Sequence, residues 1–116
     1  IGSSSVIAGI LRGDRVLAEA PRAFFRSRCD GPKVEVDPDE LLRALRAAVA
    51  GLGGRAREVD AIHLAVMCPA WVALDRAGGA LTPLVTHQDR RSVAEAHELE
   101  ARLGAALHPA PLAVAV

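Results

Sequence analysis

The stretch Val6-Ile-Ala-Gly-Ile-Leu-Arg-Gly-Asp-Arg-Val-Leu-Ala-Glu-Ala-Pro-Arg-Ala-Phe-Phe25 places two apolar arms, Val6–Leu11 and Val16–Phe25, on either side of the polar turn Arg12-Gly13-Asp14-Arg15. Two such arms, with partial alternation in the second, read as an antiparallel β-hairpin. Ser27–Pro32 is a polar break, and Lys33-Val-Glu-Val36 is a short alternating segment. The first third of the chain therefore reads as a three-stranded antiparallel meander.

A helix follows. Asp37 is a suitable N-cap, Pro38 suits the first helical position, and Glu40 has the spacing of a capping box. Leu41, Leu42, Leu45, Ala48, Val49 and Leu52 recur at helical spacing, and Gly53-Gly54 is the stop signal. Val59–Met67 is apolar apart from Asp60 and His63. It reads as a buried strand, Val59–Val66, that returns from the helix to lie parallel to the first strand, because a helix between two strands makes a right-handed crossover. Trp71–Leu74 and Ala80–Val85 read as a small hairpin around Asp75-Arg-Ala-Gly-Gly79. Ser92 and Glu95 read as the cap of a last helix through Gly104, with the apolar stripe Val93, Ala96, Leu99, Leu103 and Leu107. The terminal run Pro111–Val116 reads as another strand. Both chain ends are apolar, and the expectation is an incomplete domain over residues 1–116, cut within strands at each end.

Composition bounds the partners. The apolar fraction is 51%, and the aromatics are Phe24, Phe25 and Trp71, which gives a globular composition built on small side chains. Fourteen basic and fourteen acidic residues cancel and are interspersed, so neither a nucleic-acid nor an anionic-membrane footprint follows. The apolar runs are too short for a membrane span. Cys29 and Cys68 have no Cys or His partner at a metal spacing, which suits a reduced, cytoplasmic protein.

Two stretches carry candidate chemistry. Gly2-Ser3-Ser4-Ser5 precedes the first strand, and a glycine turn with successive amides and hydroxyls can cradle a phosphate. Taken alone, such a tetrapeptide is more often a flexible or capping stretch. The second stretch contains Met67-Cys68-Pro69-Ala70, Leu74-Asp75, Gly79, Leu81-Thr82-Pro83 and Asp89-x-Arg91, followed by the capped helix. In this order and spacing the chain resembles the N-terminal part of the FGGY carbohydrate kinases, the family of xylulokinase, gluconokinase and glycerol kinase.

The resemblance implies an α/β, ribonuclease H-like (actin-like ATPase) fold, here partial. It implies transfer of the ATP γ-phosphoryl group to a sugar or polyol hydroxyl, with Mg²⁺, a chemistry governed by positioning and charge neutralisation. Gly2, Ser3, Ser4 and Ser5 would meet the ATP phosphates. Met67, Cys68, Pro69, Asp89 and Arg91 would border the sugar. The catalytic Asp and the adenine pocket are implied to lie outside these residues, so the chain alone is expected to be inactive. Small-molecule sugar and ATP are the expected partners, and a homodimer of the full-length protein stays open.

The sequence departs from the family pattern in three places. The family's first Asp would precede Ile1, His87 stands where a Trp is usual, and Met67-Cys-Pro-Ala70 replaces the usual sugar-side turn. Other readings stand beside this one. Asp89 and Arg91 could form a surface ion pair, His63 a satisfied core histidine, and His97 and His108 helix-face and loop residues. Cys68 has no base in motif context, so it does not read as a nucleophile. The alternative in another class is a non-catalytic interaction domain that keeps the scaffold. A two-metal nuclease would need several convergent carboxylates, and Ser5–Leu11 supplies none.

Overall fold

The computed structural model describes residues 1–104 of the 116. Leu107, His108 and the Pro111–Val116 run lie outside the described residues. The described chain is α/β, with small antiparallel sheets and two α-helices.

The opening hairpin is present, but interrupted. β1 (Ser5–Val6) pairs with β4 (Ala23–Phe24), and β2 (Gly9–Arg12) pairs with β3 (Arg15–Glu19), with a bulge between Ile10 and Leu11. Between the two short ladders the Ala20 amide donates to the Ala8 carbonyl (2.9 Å), and beyond them the Phe25 amide donates to that of Ser4 (3.0 Å). One antiparallel ribbon thus runs from Ser4 to Phe25, kinked at the bulge, where one strand carries an extra residue.

The expected meander is not formed. β6 (Lys33–Val36) does not join this ribbon; it pairs with β5 (Ser27–Asp30) and with β7 (Leu84–Val85). The reason lies in the segment read as a break. Gly31-Pro32 makes a tight two-residue turn with Gly31 at φ 54°, a conformation that costs a residue with a Cβ, and the turn folds Ser27–Asp30 back onto Lys33–Val36.

α1 (Pro38–Ala50) begins as expected: Asp37 caps it by accepting from the Asp39 amide (2.9 Å), and Pro38 occupies the first turn. Two details differ. Glu40 accepts from the Arg26 amide (2.9 Å) and so ties the helix to the ribbon's end without forming a capping box. The helix also stops earlier, at Gly51, where an added Cβ would come within 3.0 Å of the Ala20 side chain. Gly53–Arg57 form a 3₁₀ turn.

α1 packs on β1 and β4. The core comprises Val6, Phe25, Val36, Ala44 and Ala48, with Leu41, Leu45, Met67 and Leu84 partly buried against it. Alanines on the buried face of α1 let the helix approach the sheets closely, while Leu42 and Val49 at its flanks remain exposed.

Val59–Val66 does not form the expected buried strand. It is exposed throughout, with Ile62 at 81% and Leu64 at 72%. Its end alone pairs: the Ile1 nitrogen donates to the Ala65 carbonyl (2.6 Å), and the Met67 amide donates to the Ile1 carbonyl (2.9 Å). A strand is stabilised through its ladder partners, and no described strand runs beside Val59–Leu64.

The small hairpin is held by bridges between Trp71 and Val85 and between Leu74 and Ala80, around a turn in which Asp75 accepts from the Ala77 and Gly79 amides (both 2.8 Å). α2 (Val93–Leu103) starts after Ser92, but the Ser92 side chain makes no capping bond. Its stripe is not buried: Val93, Leu99 and Leu103 are exposed.

Candidate functional site

The residues after β7 are fixed by bonds that reach back to β6. Thr86 is buried, and both its amide (3.1 Å) and its hydroxyl (2.9 Å) donate to the Val34 carbonyl. The Arg90 amide donates to the Pro32 carbonyl (2.8 Å), and the Asp89 amide donates to the Thr86 carbonyl (3.1 Å). Thr86–Arg91 is thereby wrapped around the edge of the β5–β6 hairpin.

Asp89 closes the wrap. Its Oδ2 accepts from the Val34 amide (2.9 Å), and its Oδ1 accepts from the Arg91 amide (3.1 Å). The Arg91 Nε donates to both carboxylate oxygens (3.0 and 3.1 Å), and Nη2 lies 2.9 Å from Oδ2. The same Nη2 lies 2.6 Å from Oε1 of Glu35. The hydrogen bond from Arg91 is the main cause that holds the Asp89 carboxyl far below its usual range, aided by the Val34 and Arg91 amides and opposed by partial desolvation. Arg91 is correspondingly raised, first by that bond to Asp89.

The other expected site residues fall into two groups. Ser3 and Ser4 are exposed in the turn that Gly2 closes by donating its amide to the Ser5 carbonyl (2.9 Å). Cys68 and Pro69 are exposed in the turn that leaves the Ile1 bridge, whereas Met67 packs against the core. Because Ile1 bonds Met67 and Trp71 bonds Val85, the three segments are linked in series: Gly2–Ser5, the Met67–Pro69 turn, and Thr86–Arg91. Among the described residues, no hydrogen bond or ion pair joins Gly2–Ser5 directly to Asp89 or Arg91.

Two open cavities flank this region. The larger, about 610 Å³, lies between the start of α1 and the Gly79–Pro83 turn and contains none of the expected site residues. The smaller, about 320 Å³, is lined by Asp89 and Arg91 together with Glu35, Trp71 and Ser92, so it is the one tied to the candidate chemistry.

The chain superposes on a xyloylose kinase from Brucella ovis with TM-score 0.79 and 26% identity, over 88% of this chain and 22% of that one. A xylulose kinase from Rhodospirillum rubrum gives TM-score 0.71 and 31% identity, over 91% and 23%. Three of its structural neighbours are sugar kinases. The third, a gluconate kinase from Lactobacillus acidophilus, shares the fold at TM-score 0.70 with 14% identity, over 91% and 22%. The resemblance to the carbohydrate kinases, drawn above from motifs, therefore holds in three dimensions. The chain spans less than a quarter of the length of each of these kinases. No family model matches the sequence, and the search of curated proteins gives no match.

Sequence reasoning missed Glu35, Val34 and Thr86. The alternation in Lys33–Val36 separates Glu35 from the side of the half-buried Val34 and the buried Val36, but nothing in the sequence names its partner 56 positions away, Arg91. Among the described residues no group of three or more His, Cys, Asp or Glu side chains could hold a metal ion, and no helix is long and apolar enough to cross a membrane.

Proposed function

We propose that this chain is the N-terminal portion of an ATP-dependent carbohydrate kinase with a ribonuclease H-like, actin-type fold, transferring the ATP γ-phosphoryl group to a sugar or polyol hydroxyl. The observation that carries the proposal is the shared structure with two xylulose kinases at 26% and 31% identity over most of the chain. In this assignment the exposed Ser3–Ser4 turn offers hydroxyls and amides to the nucleotide phosphates, with Gly2 and Ser5 closing it. Cys68, Pro69 and Arg91 face the sugar, and Met67 and Asp89 support them from the core side and from β6.

The exposed Ser3 and Ser4 suit a phosphate chain, so ATP fits this turn. Mg²⁺ has no ready-made ligand cluster among the described residues. The chemistry left to these residues is to hold donors in place around phosphate and sugar, which is where most of the rate gain in phosphoryl transfer arises. The catalytic base is assigned to the remainder of the longer protein, and the 116 residues alone are expected to be inactive.

Amide and side-chain NMR of the full-length protein tests the assignment. ATP should shift the Ser3–Ser5 amides, and a sugar substrate should shift Cys68 and the Arg91 Nε–H. Neither ligand moving either set would overturn it.

A further inference from the structure

Asp89 has no acceptor capacity left for a ligand. A carboxylate offers about four lone-pair positions, and those of Asp89 already meet the Val34 amide, the Arg91 amide, and the Arg91 Nε and Nη2. Arg91 is different. Its Nε and Nη2 are held by Asp89 and Glu35, whereas Nη1 has no partner among the described residues. A guanidinium is planar and rigid, so fixing two of its nitrogens fixes the direction of the third.

Both fixing carboxylates are tied to β6. The Val34 amide holds Asp89, and the next residue, Glu35, holds Arg91. Isolated exposed ion pairs order little, but this one is forked, shared between two carboxylates, and anchored on an Asp89 side chain that is 7% exposed.

We propose that Glu35 is a positioning residue. With Asp89, it aims Arg91 Nη1 as a two-proton donor at a polyhydroxylated ligand in the cavity of about 320 Å³ beside Trp71 and Ser92. The identity of the ligand rests on the carbohydrate-kinase proposal; the clamp on Arg91 does not.

The test uses Glu35→Ala and Glu35→Gln in the full-length protein. Glu35→Ala should raise KM for the sugar about fivefold or more while kcat and KM for ATP stay within about twofold. Glu35→Gln keeps an acceptor for Nη2 and should recover most of the loss at an unchanged Tm. An unaltered sugar KM in Glu35→Ala, or equal losses for sugar and ATP with a lowered Tm, would overturn the proposal. If the wild type phosphorylates no sugar, the kinase assignment fails by itself. The clamp is then read from proton exchange at the Arg91 Nη2 hydrogens, the ones Glu35 holds: acceleration in Glu35→Ala supports it, and an unchanged rate overturns it.

Discussion

The Met67 amide donates to the Ile1 carbonyl at 2.9 Å while the Ile1 nitrogen donates to the Ala65 carbonyl, the bonding pattern of a parallel bridge. This bridge is what carries the Met67–Pro69 turn to the start of the Gly2–Ser5 turn. Amide hydrogen exchange should therefore show Met67 protected and Ile62 and Leu64 exchanging at nearly the unprotected rate. Equal protection along Val59–Met67 would show a continuous strand instead.

Ala48 is fully buried where α1 meets Val6, Phe25 and Val36. Ala48→Leu should destabilise the fold by about 1–3 kcal/mol, because a larger side chain forces the helix off the sheets. Urea unfolding measures this, and an unchanged midpoint would mean that the helix does not pack there.

Gly31 turns the β5–β6 hairpin at φ 54° with open space around its missing side chain. Gly31→Ala should cost about 1–2 kcal/mol from backbone strain alone. Gly31→Asn, which tolerates this conformation better, should cost less. Thermal unfolding ranks the two, and the reverse order would refute the turn geometry.

The Asp89 carboxyl is held well below its usual range, chiefly by the Arg91 hydrogen bond. A depressed folded value means stability that is present above the unfolded value, about 3.9, and lost as pH falls towards the folded one. The wild type should thus lose stability below about pH 4 more steeply than Asp89→Asn. Parallel acid profiles for the two proteins would show that the Arg91–Asp89 pair is absent in solution.

Much of the fold could be read from local patterns. The ribbon arms, the Asp37-Pro38 helix start and the small hairpin each carry their own signal within a few residues. What failed depended on partners distant in sequence. The apolar run Val59–Val66 looks like a strand, but a run of apolar residues cannot say what it pairs with. Gly31-Pro32 carries a turn signal, masked because the surrounding Ser27–Pro32 is polar. Asp89 and Arg91 were legible as a pair, whereas the role of Glu35 depends on the β6–β7 register, which sets Glu35 opposite Val85.

Sugar-dependent release of ADP, with and without Mg²⁺, tests the kinase assignment most directly. It should be measured on the full-length protein with xylulose, gluconate and glycerol, and on the 116-residue chain alone. Turnover of at least one of these by the full-length protein is expected, and none above background by the chain alone. No sugar-dependent turnover by the full-length protein, with all three acceptors and folded enzyme, would contradict it and favour a non-catalytic interaction domain built on the same scaffold.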